Sequence, residues 1–503
     1  MSFVSFKFVL FLGLTFFAYF IVPNRFKWLV LLAFSYLYYY LCSHKLVIVL
    51  FGVSAFTFLI ARFIDIQQDK KKRKVLSYLG IIVVLLNLVV LKYSDFLIEN
   101  INALINGNFN LLNLVLPIGI SYYTLQAISY IYDVSKKKHE AENNFLHFLL
   151  YMSYFPQIIQ GPIPKYTRLN EQLFAQHDFD YNRITRGLQL MFWGIAKKII
   201  LADRLALPVS NIFENYADYH GLFLFFGVVL YGFQIYADFS GGIDTIRGIS
   251  EIFGITLDEN FRQPYFSHSI EEFWRRWHIS LGAWMREYVF YPLSLSKRLN
   301  NIGKKLRKTL GNNIGKKFAP FTAMFIVYLL VGIWHGADWK YVVYGIWNGL
   351  FTMNGVLLED FYQRCRERFR ISDSSKIWKF IQIIRTFIIV SIGRLIVRSS
   401  SVADALRMFG LTFKRTFDFS FFNSDTLTSL GLNSREWILC LIVIIIILFI
   451  DYLKEKGVDI RTTVSNRNIV FRWAVYLLLM MSILIFGKYG PGYEAANFIY
   501  GNF

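Results

Sequence analysis

Cysteine and charged residues are scarce in this sequence of 503 residues. The three cysteines, Cys42, Cys365 and Cys440, are too few and too widely spaced for a disulfide framework or a thiolate metal site. Charged residues make up 17% of the chain, against 55% apolar and 18% aromatic residues. This balance favours a membrane protein over a soluble one.

Long polar segments are missing as well. The largest polar gap, around residues 397–436, is about 40 residues long and too short for a separate globular domain. No internal repeat is evident in the sequence. We therefore expect a single integral membrane domain over residues 1–503.

Apolar blocks of about twenty residues, the length that spans a bilayer, dominate the chain instead. With shorter blocks near 111–132, 145–160 and 186–213, they predict an all-α polytopic protein with roughly 10–13 spans. The first block lacks a convincing cleavage site, so we expect it to be retained. The clearest blocks are Phe3–Val22, Trp28–Cys42, Leu46–Ile64, Leu76–Leu91, Phe223–Phe239, Phe321–Ile333, Val342–Leu358, Ile377–Ile396, Trp437–Leu453 and Val470–Phe486.

The formal net charge of +20 comes from Lys and Arg in short loops between the apolar blocks. This distribution follows the positive-inside rule. It indicates a cytoplasmic face that contacts membrane lipid, and it argues against nucleic acid as a partner. The main basic clusters are residues 69–74, 136–138, 297–317 and 364–370.

Residues 151–347 mix proline, glycine, arginine and histidine with aromatic residues at the expected membrane depth. Non-helical backbone is tolerated there only where protein or a water-filled cavity satisfies it, so we expect the functional site in this region. Phe155–Pro164, with three prolines, predicts a break in a helix, which has either a structural or a functional purpose.

His335 is the first candidate site residue. It lies in Gly332–Trp339, inside an apolar stretch, where a titratable ring is costly unless it is paired or used. A histidine has a pKa suited to proton transfer, although a structural histidine between helices is the alternative. Asp338 could orient the ring. Asp238, in a Ser-Gly-Gly segment that resembles a turn, could do the same or cap the following helix.

Residues 273–292 predict a continuous two-sided helix. The interpretation is either a basic amphipathic helix on the membrane surface or one wall of a charged cleft. One face carries Phe273, Trp277, Leu281, Trp284 and Tyr288, and the opposite face carries Arg275, His278, Gly282 and Arg286.

Two motifs carry a family resemblance. The run from Glu272 to Leu281, followed by Gly332-Ile-Trp-His-Gly-Ala, resembles the signature of the membrane-bound O-acyltransferase (MBOAT) family. Within the family it is most similar to the bacterial alginate and peptidoglycan O-acetyltransferases, followed by the D-alanyl transfer proteins of teichoic acid synthesis. The resemblance implies about eleven spans, with re-entrant and amphipathic helices around a central funnel, in a multi-pass protein of the bacterial cytoplasmic membrane. It places the core catalytic region at about 151–358 and the two family histidines at His335 and His278.

The implied reaction moves an acetyl group from acetyl-CoA, a substrate rather than a permanently bound cofactor, to a polysaccharide hydroxyl. Such a transfer needs a base, for which His335 is the candidate, and a group that steadies the oxyanion. Arg275, Arg276 and Arg286 would suit the phosphates of coenzyme A. Trp274 and Trp334 beside the histidines complete the substrate-binding candidates, and no metal ligand set is predicted.

The aromatic tail, residues 497–503, resembles the C-terminal motif of this bacterial branch. The resemblance implies that Tyr500 carries the acyl group to an extracytoplasmic partner, an SGNH or esterase-like acetyltransferase. An interfacial membrane anchor is the alternative.

Other classes of protein fit less well. A secondary transporter would be expected to show two related halves, which the sequence lacks. A metalloenzyme would have to use two histidines 57 residues apart without a third ligand. D-alanyl transfer to teichoic acid by the same fold stays open.

Overall fold

The computed structural model describes residues 1–490, apart from the side chains of Leu310, Asn313, Ile314 and Val356. Helices and their connections account for this range, and no strand occurs within it. The predicted all-α class is confirmed. Tyr500 and the whole of the tail at 497–503 lie outside the described residues.

Several helices begin at capping residues that the sequence supplies. Ser5, Asp69 and Asn144 each accept a hydrogen bond from the first turn of the helix that follows. The helices of the first part are α1 (Phe6–Ile21), α2 (Lys27–Ser43), α3 (Val47–Ile66), α4 (Lys70–Ile105), α5 (Ile120–Ser135), α6 (Phe145–Ser153), α7 (Tyr166–Phe174), α8 (Tyr181–Ala196), α9 (Asp203–Glu214) and α10 (Leu222–Ile252). A π-helical turn, Lys197–Ala202, precedes α9.

A second π-helical turn, Arg286–Phe290, lies among the shorter helices that follow. The remaining helices are α11 (Ile270–Arg276), α12 (Ile279–Met285), α13 (Tyr291–Ser294), α14 (Lys297–Leu310), α15 (Asn312–His335), α16 (Trp339–Leu357), α17 (Glu359–Arg368), α18 (Lys376–Arg398), α19 (Val402–Thr412), α20 (Ser424–Ser429), α21 (Ser434–Glu455), α22 (Ile460–Ser465) and α23 (Ile469–Phe486).

Seven helical segments in the described range are long and apolar enough to cross a membrane, which confirms a multi-pass membrane protein. Other predicted spans fall on shorter helices, such as α1, on the less apolar α16, or on segments that contain non-helical chain. The block near 111–132, for example, becomes helical only at Ile120. The seven segments are Asn24–Ile66, Lys70–Ile105, Leu222–Ile252, Gly315–His335, Lys376–Arg398, Ser434–Glu455 and Ile469–Phe486.

The chain forms two compact units. Residues 1–195 and 241–259 belong to the first, and residues 196–240 and 260–488 belong to the second, so that one of the boundaries falls inside α10. The prediction of one membrane domain over the whole chain stays a prediction.

The first unit buries aromatic side chains and one close helix crossing. A Cβ atom on Gly187 in α8 would lie 2.7 Å from the carbonyl oxygen of Gly248 in α10, so both helices need glycine where they cross. The predicted break at Phe155–Pro164 is confirmed, because α6 ends at Ser153 and helix resumes only at Tyr166.

The second unit is organised around the helical hairpin of α15 and α16. The hairpin packs against α14, α11 and α18. Its connection is short, because α15 ends at His335 and α16 begins at Trp339. This hairpin therefore places His335 at a helix terminus inside the unit.

The continuous helix predicted for residues 273–292 is wrong. Helix α11 ends at Arg276, α12 begins at Ile279, and His278 between them has a left-handed backbone with φ 48°. A helical wheel assumes one unbroken period, so the two predicted faces do not exist. Hydrogen bonds to residues distant in sequence determine the backbone conformation here, rather than the local hydrophobic periodicity.

Candidate active site

His335 is enclosed by aromatic side chains at the end of α15. Only 6% of its surface is exposed. Its ring centroid lies 5.1 Å from that of Trp334, 5.9 Å from that of Tyr344 and 6.5 Å from that of Tyr341. The following residue, Gly336, has no room for a Cβ atom against the ring of Tyr341. The α15–α16 hairpin thus shields His335 from solvent.

His278 lies in the left-handed turn between α11 and α12. It is 3% exposed, and its ring packs edge-on against Phe239, with 4.9 Å between the centroids. The ring also contacts Trp334, at 5.8 Å. Because Trp334 contacts both imidazoles, the fold brings together two histidines that are 57 residues apart in sequence.

The turn at His278 is secured by Asn260. The carbonyl oxygen of Asn260 accepts a hydrogen bond from the Ile279 N–H at 3.1 Å, and its Oδ1 accepts one from the Ser280 N–H at 2.8 Å. An isolated bridge between Phe261 and Trp277 continues the pairing. Asn260 is not among the predicted site residues, because nothing local in the sequence marks it as a partner of residues almost twenty positions away.

The three candidate arginines occupy different environments. Arg276 is engaged by Glu272 at 2.6 Å and by both oxygens of Glu455, at 2.6 and 3.0 Å. Arg275 forms a more exposed pair with Glu271 at 2.9 Å, and Arg286 is exposed. The ion pairs with Glu272 and Glu455 indicate a structural role for Arg276, which the predicted contact with coenzyme A does not include. The spacing of four residues between each Glu and its Arg was the available signal.

Trp274 reaches the histidine region through one intermediate ring. Its indole packs against Tyr328, with centroids 5.9 Å apart, and against Tyr344, with centroids 6.4 Å apart. Tyr344 in turn contacts His335. Trp274 is thus close to the buried histidines, whereas Trp334 contacts them directly.

The structure corrects two predictions about Asp238, namely that it lies in a turn and that it caps a helix. The segment containing it is the interior of α10 and not a turn, so the cap is wrong. Its carboxylate accepts a hydrogen bond from Lys198 Nζ at 2.6 Å, and Lys198 also lies 2.9 Å from Asp203. All three side chains are at most 3% exposed. Lys198 is not among the predicted site residues, because a Lys-Lys pair is typical of a solvated loop.

Asp338 caps a helix. Its Oδ1 accepts a hydrogen bond from the Lys340 N–H at 2.9 Å and so starts α16. Its action on the ring of His335 stays a prediction. Within residues 1–490, no group of three or more His, Cys, Asp or Glu side chains is arranged to hold a metal ion.

The fold and these residues define an all-helical multi-pass membrane protein with two buried histidines around one tryptophan. Residues 134–402, which include both histidines, match the family described as MBOAT, membrane-bound O-acyltransferase. The chain belongs to this family. The predicted family and acyltransferase activity are confirmed.

Relatives of known name support the same activity. The chain is 32% identical over 411 residues to a probable alginate O-acetylase AlgI of Pseudomonas syringae, covering 80% of this chain and 72% of the relative. It is 30% identical over 373 residues to a peptidoglycan O-acetyltransferase of Helicobacter pylori, covering 68% and 67%. A teichoic acid D-alanyltransferase of Streptococcus thermophilus is 30% identical over 305 residues, covering 59% and 67%. The protein is therefore an O-acyltransferase.

Proposed function

We propose that this O-acyltransferase moves acetyl groups from acetyl-CoA, across the bacterial cytoplasmic membrane, to hydroxyls of a cell-wall or extracellular polysaccharide. The observation that carries the proposal is the meeting of His335 and His278 around Trp334, inside the region that matches the family. The names of the relatives, alginate O-acetylase and peptidoglycan O-acetyltransferase, support an acetyl group and a polysaccharide acceptor.

His335 acts as the base in this scheme. Its neutral imidazole takes the proton of the attacking hydroxyl, whose oxygen forms a bond to the thioester carbonyl carbon. The tetrahedral intermediate then collapses, the C–S bond breaks, and the thiol of coenzyme A leaves with the proton from the imidazolium. Burial of both histidines excludes water, which would otherwise compete as the acceptor.

Coenzyme A is bound through its phosphates by exposed arginines. Arg275 and Arg286 are accessible for this purpose, whereas the guanidinium of Arg276 already faces two carboxylates. Arginine suits a phosphate because its fork donates two parallel hydrogen bonds. We therefore assign the phosphate contacts to Arg275 and Arg286 and the support of α11 to Arg276.

The acceptor inside the protein is Tyr500. An acetyl-tyrosine is a reactive ester, because a phenol with a pKa of about 10 is a good leaving group. A serine of an extracytoplasmic esterase-like transferase would then take the acetyl group and pass it to the polysaccharide. Tyr500→Phe is expected to abolish transfer to the final acceptor, as measured by labelled acetate in the polysaccharide fraction. Unchanged transfer would leave the tail as a membrane anchor only.

Transfer of label from acetyl-CoA in proteoliposomes tests the role of His335. His335→Ala is expected to lower the rate by about 10²-fold or more, because it removes the base. The control is His220→Ala, which removes a histidine that pairs with Asp418 at 3.0 Å in a loop of the same unit. Wild-type rates in His335→Ala would overturn the mechanism, and loss of activity with chelator would favour a metalloenzyme.

D-alanyl transfer to teichoic acid is the second candidate. The similarity to teichoic acid D-alanyltransferases over 59% of this chain supports it. Proteoliposomes supplied with an activated D-alanyl donor in parallel with acetyl-CoA distinguish the two. Turnover with the D-alanyl donor alone would replace the acetyl group in the proposal while leaving the role of His335 in place.

A further inference from the structure

The backbone of His278 is in a conformation that a residue with a side chain adopts only under constraint. Its φ of 48° lies in the left-handed region, which costs free energy for a residue other than glycine. Such a conformation persists where the surrounding structure enforces it. Two groups outside the His-containing motif contact this turn from different helices or loops, and both are buried.

Asn260 holds the turn on the side of α12. Its side chain is completely buried, and its two oxygens accept the hydrogen bonds from the N–H groups of Ile279 and Ser280. These donors are the first two after His278, so they fix where α12 begins. The Nδ2 group of Asn260 is buried without a hydrogen-bond partner among residues 1–490, so Oδ1 is the side-chain atom through which Asn260 holds the turn.

Arg394 holds the turn on the side of α11. This buried residue of α18 lies over the rings of Trp277 and Tyr265, with 5.0 Å from the guanidinium carbon to each centroid, and 5.6 Å from that of Phe273. Trp277, which precedes His278, also stacks on Phe273 at 5.5 Å. The guanidinium is therefore a cation that closes an aromatic stack directly before the turn.

Room for this guanidinium is provided by Gly232 in α10. A Cβ atom there would lie 3.0 Å from Nη1 of Arg394. A planar guanidinium stacks on aromatic faces, whereas a lysine ammonium is a compact point charge. The site is therefore shaped for arginine rather than for any cation.

We propose that Asn260 and Arg394 are positioning residues, which clamp the left-handed turn and so hold His278 beside Trp334 and within reach of the centre formed with His335. The inference rests on the proposed acyl transfer. Neither residue touches the acyl group in this scheme. Both act through His278, Asn260 through the backbone and Arg394 through Trp277.

Steady-state kinetics in proteoliposomes test the clamp with conservative and disruptive variants. Asn260→Leu and Arg394→Lys are expected to lower kcat by roughly 10-fold or more, since small displacements of catalytic groups are costly, while KM for acetyl-CoA changes by less than about threefold. Asn260→Asp keeps the acceptor oxygen, so it is expected to restore kcat to within about threefold of wild type.

Matched controls separate positioning from general destabilisation. Asn211→Leu removes an amide that donates to the Leu430 carbonyl at 2.9 Å, and Arg398→Lys alters an arginine one turn further along α18, over the ring of Phe213 at 5.4 Å. These controls are expected to lower the thermal midpoint by as much as the clamp variants but to retain kcat. Equal kcat in clamp and control variants would overturn the proposal.

Labelling of His278 with diethyl pyrocarbonate, read by mass spectrometry, tests the clamp without turnover. In wild type His278 is expected to be protected, and in Asn260→Leu its labelling is expected to rise at least fivefold while that of His335 rises less. Unchanged labelling of His278 in Asn260→Leu and in Arg394→Lys would overturn the clamp. If no acyl donor supports turnover at all, the proposed function fails and this labelling still decides the clamp.

Discussion

Lys198 joins two carboxylates supplied by different helices, Asp203 of α9 and Asp238 of α10. Charges this deeply buried have lost their hydration, and only their mutual attraction and hydrogen bonds compensate for that loss. One lysine faces two aspartates in this cluster. Removal of the positive charge and removal of a negative charge should therefore have unequal effects on the stability of the protein.

Lys198→Met is expected to destabilise the protein by about 3–5 kcal/mol, because it removes the ammonium group that faces both buried carboxylates. The triple variant Lys198→Met, Asp203→Asn, Asp238→Asn is expected to recover much of that loss, since it removes all three charges. Thermal unfolding in detergent, followed by circular dichroism, measures both. A single Lys198→Met variant as stable as wild type would contradict this account of the buried cluster.

Single functional residues could be predicted where burying their side chains in an apolar segment costs free energy. His335 could be singled out because a titratable ring in an apolar stretch is expensive. By the same argument Arg394, inside the apolar block Ile377–Ile396, is costly in its surroundings and was predictable as a functional or structural residue. Asp238 was misassigned because Gly-Gly usually marks a turn, whereas here it continues a helix.

Helices were predictable from their length and apolar content, and their interruptions were predictable only in part. Proline marked the break at Phe155–Pro164, because it removes a donor and clashes with the preceding turn. The break at His278 has no such marker. Its left-handed turn is imposed by Asn260, almost twenty residues earlier, so no local period contains it.

The crossing of α8 with α10 yields a prediction for helix packing. Gly187→Leu is expected to lower the midpoint of thermal unfolding strongly. The leucine side chain would meet the carbonyl oxygen of Gly248, which belongs to the backbone of α10 and cannot easily move away. Gly13→Leu is the control, because a Cβ atom at Gly13 meets nothing within 4 Å. Equal midpoints for the two variants, measured by a thermal shift assay in detergent, would mean that the helices do not need this close approach.

The charge of the whole molecule is concentrated on a few segments. Helix α14 and the start of α15 hold eight Lys and Arg residues between 297 and 317, and no acidic residue lies between Glu287 and Asp338. The charged side chains of α14 are exposed, and exposed Leu295 and Ile302 lie close to them in sequence. Such a combination favours contact with an anionic membrane surface.

Protease protection tests that contact. In liposomes with anionic lipid, trypsin is expected to cleave after Lys304, Lys305 and Lys308 more slowly than in zwitterionic liposomes, because the headgroups cover these side chains. Added salt should reduce the difference, since it screens the attraction. Lys414 and Arg415, which are exposed in a turn outside the four basic clusters, serve as internal reference sites. Equal cleavage of α14 in both kinds of liposome would contradict the prediction.

At the scale of the whole molecule, composition and block length were sufficient for the class of protein, since bilayer thickness dictates both. The proximity of His278 and His335 could be predicted only from the resemblance to a family. The physical reason is that the two motifs meet through Trp334, and no periodicity links positions 57 residues apart.

The π-helical turn at Lys197–Ala202 makes the length of the chain as important as its composition at that point. The number of residues between Lys198 and Asp203 sets the direction of the lysine side chain, which faces both carboxylates. Deletion of Ile200 alone would change the direction of Lys198 relative to α9, since it removes one residue from the π-helical turn between them. The ammonium group would then leave both aspartates, although every charged residue would still be present in the sequence.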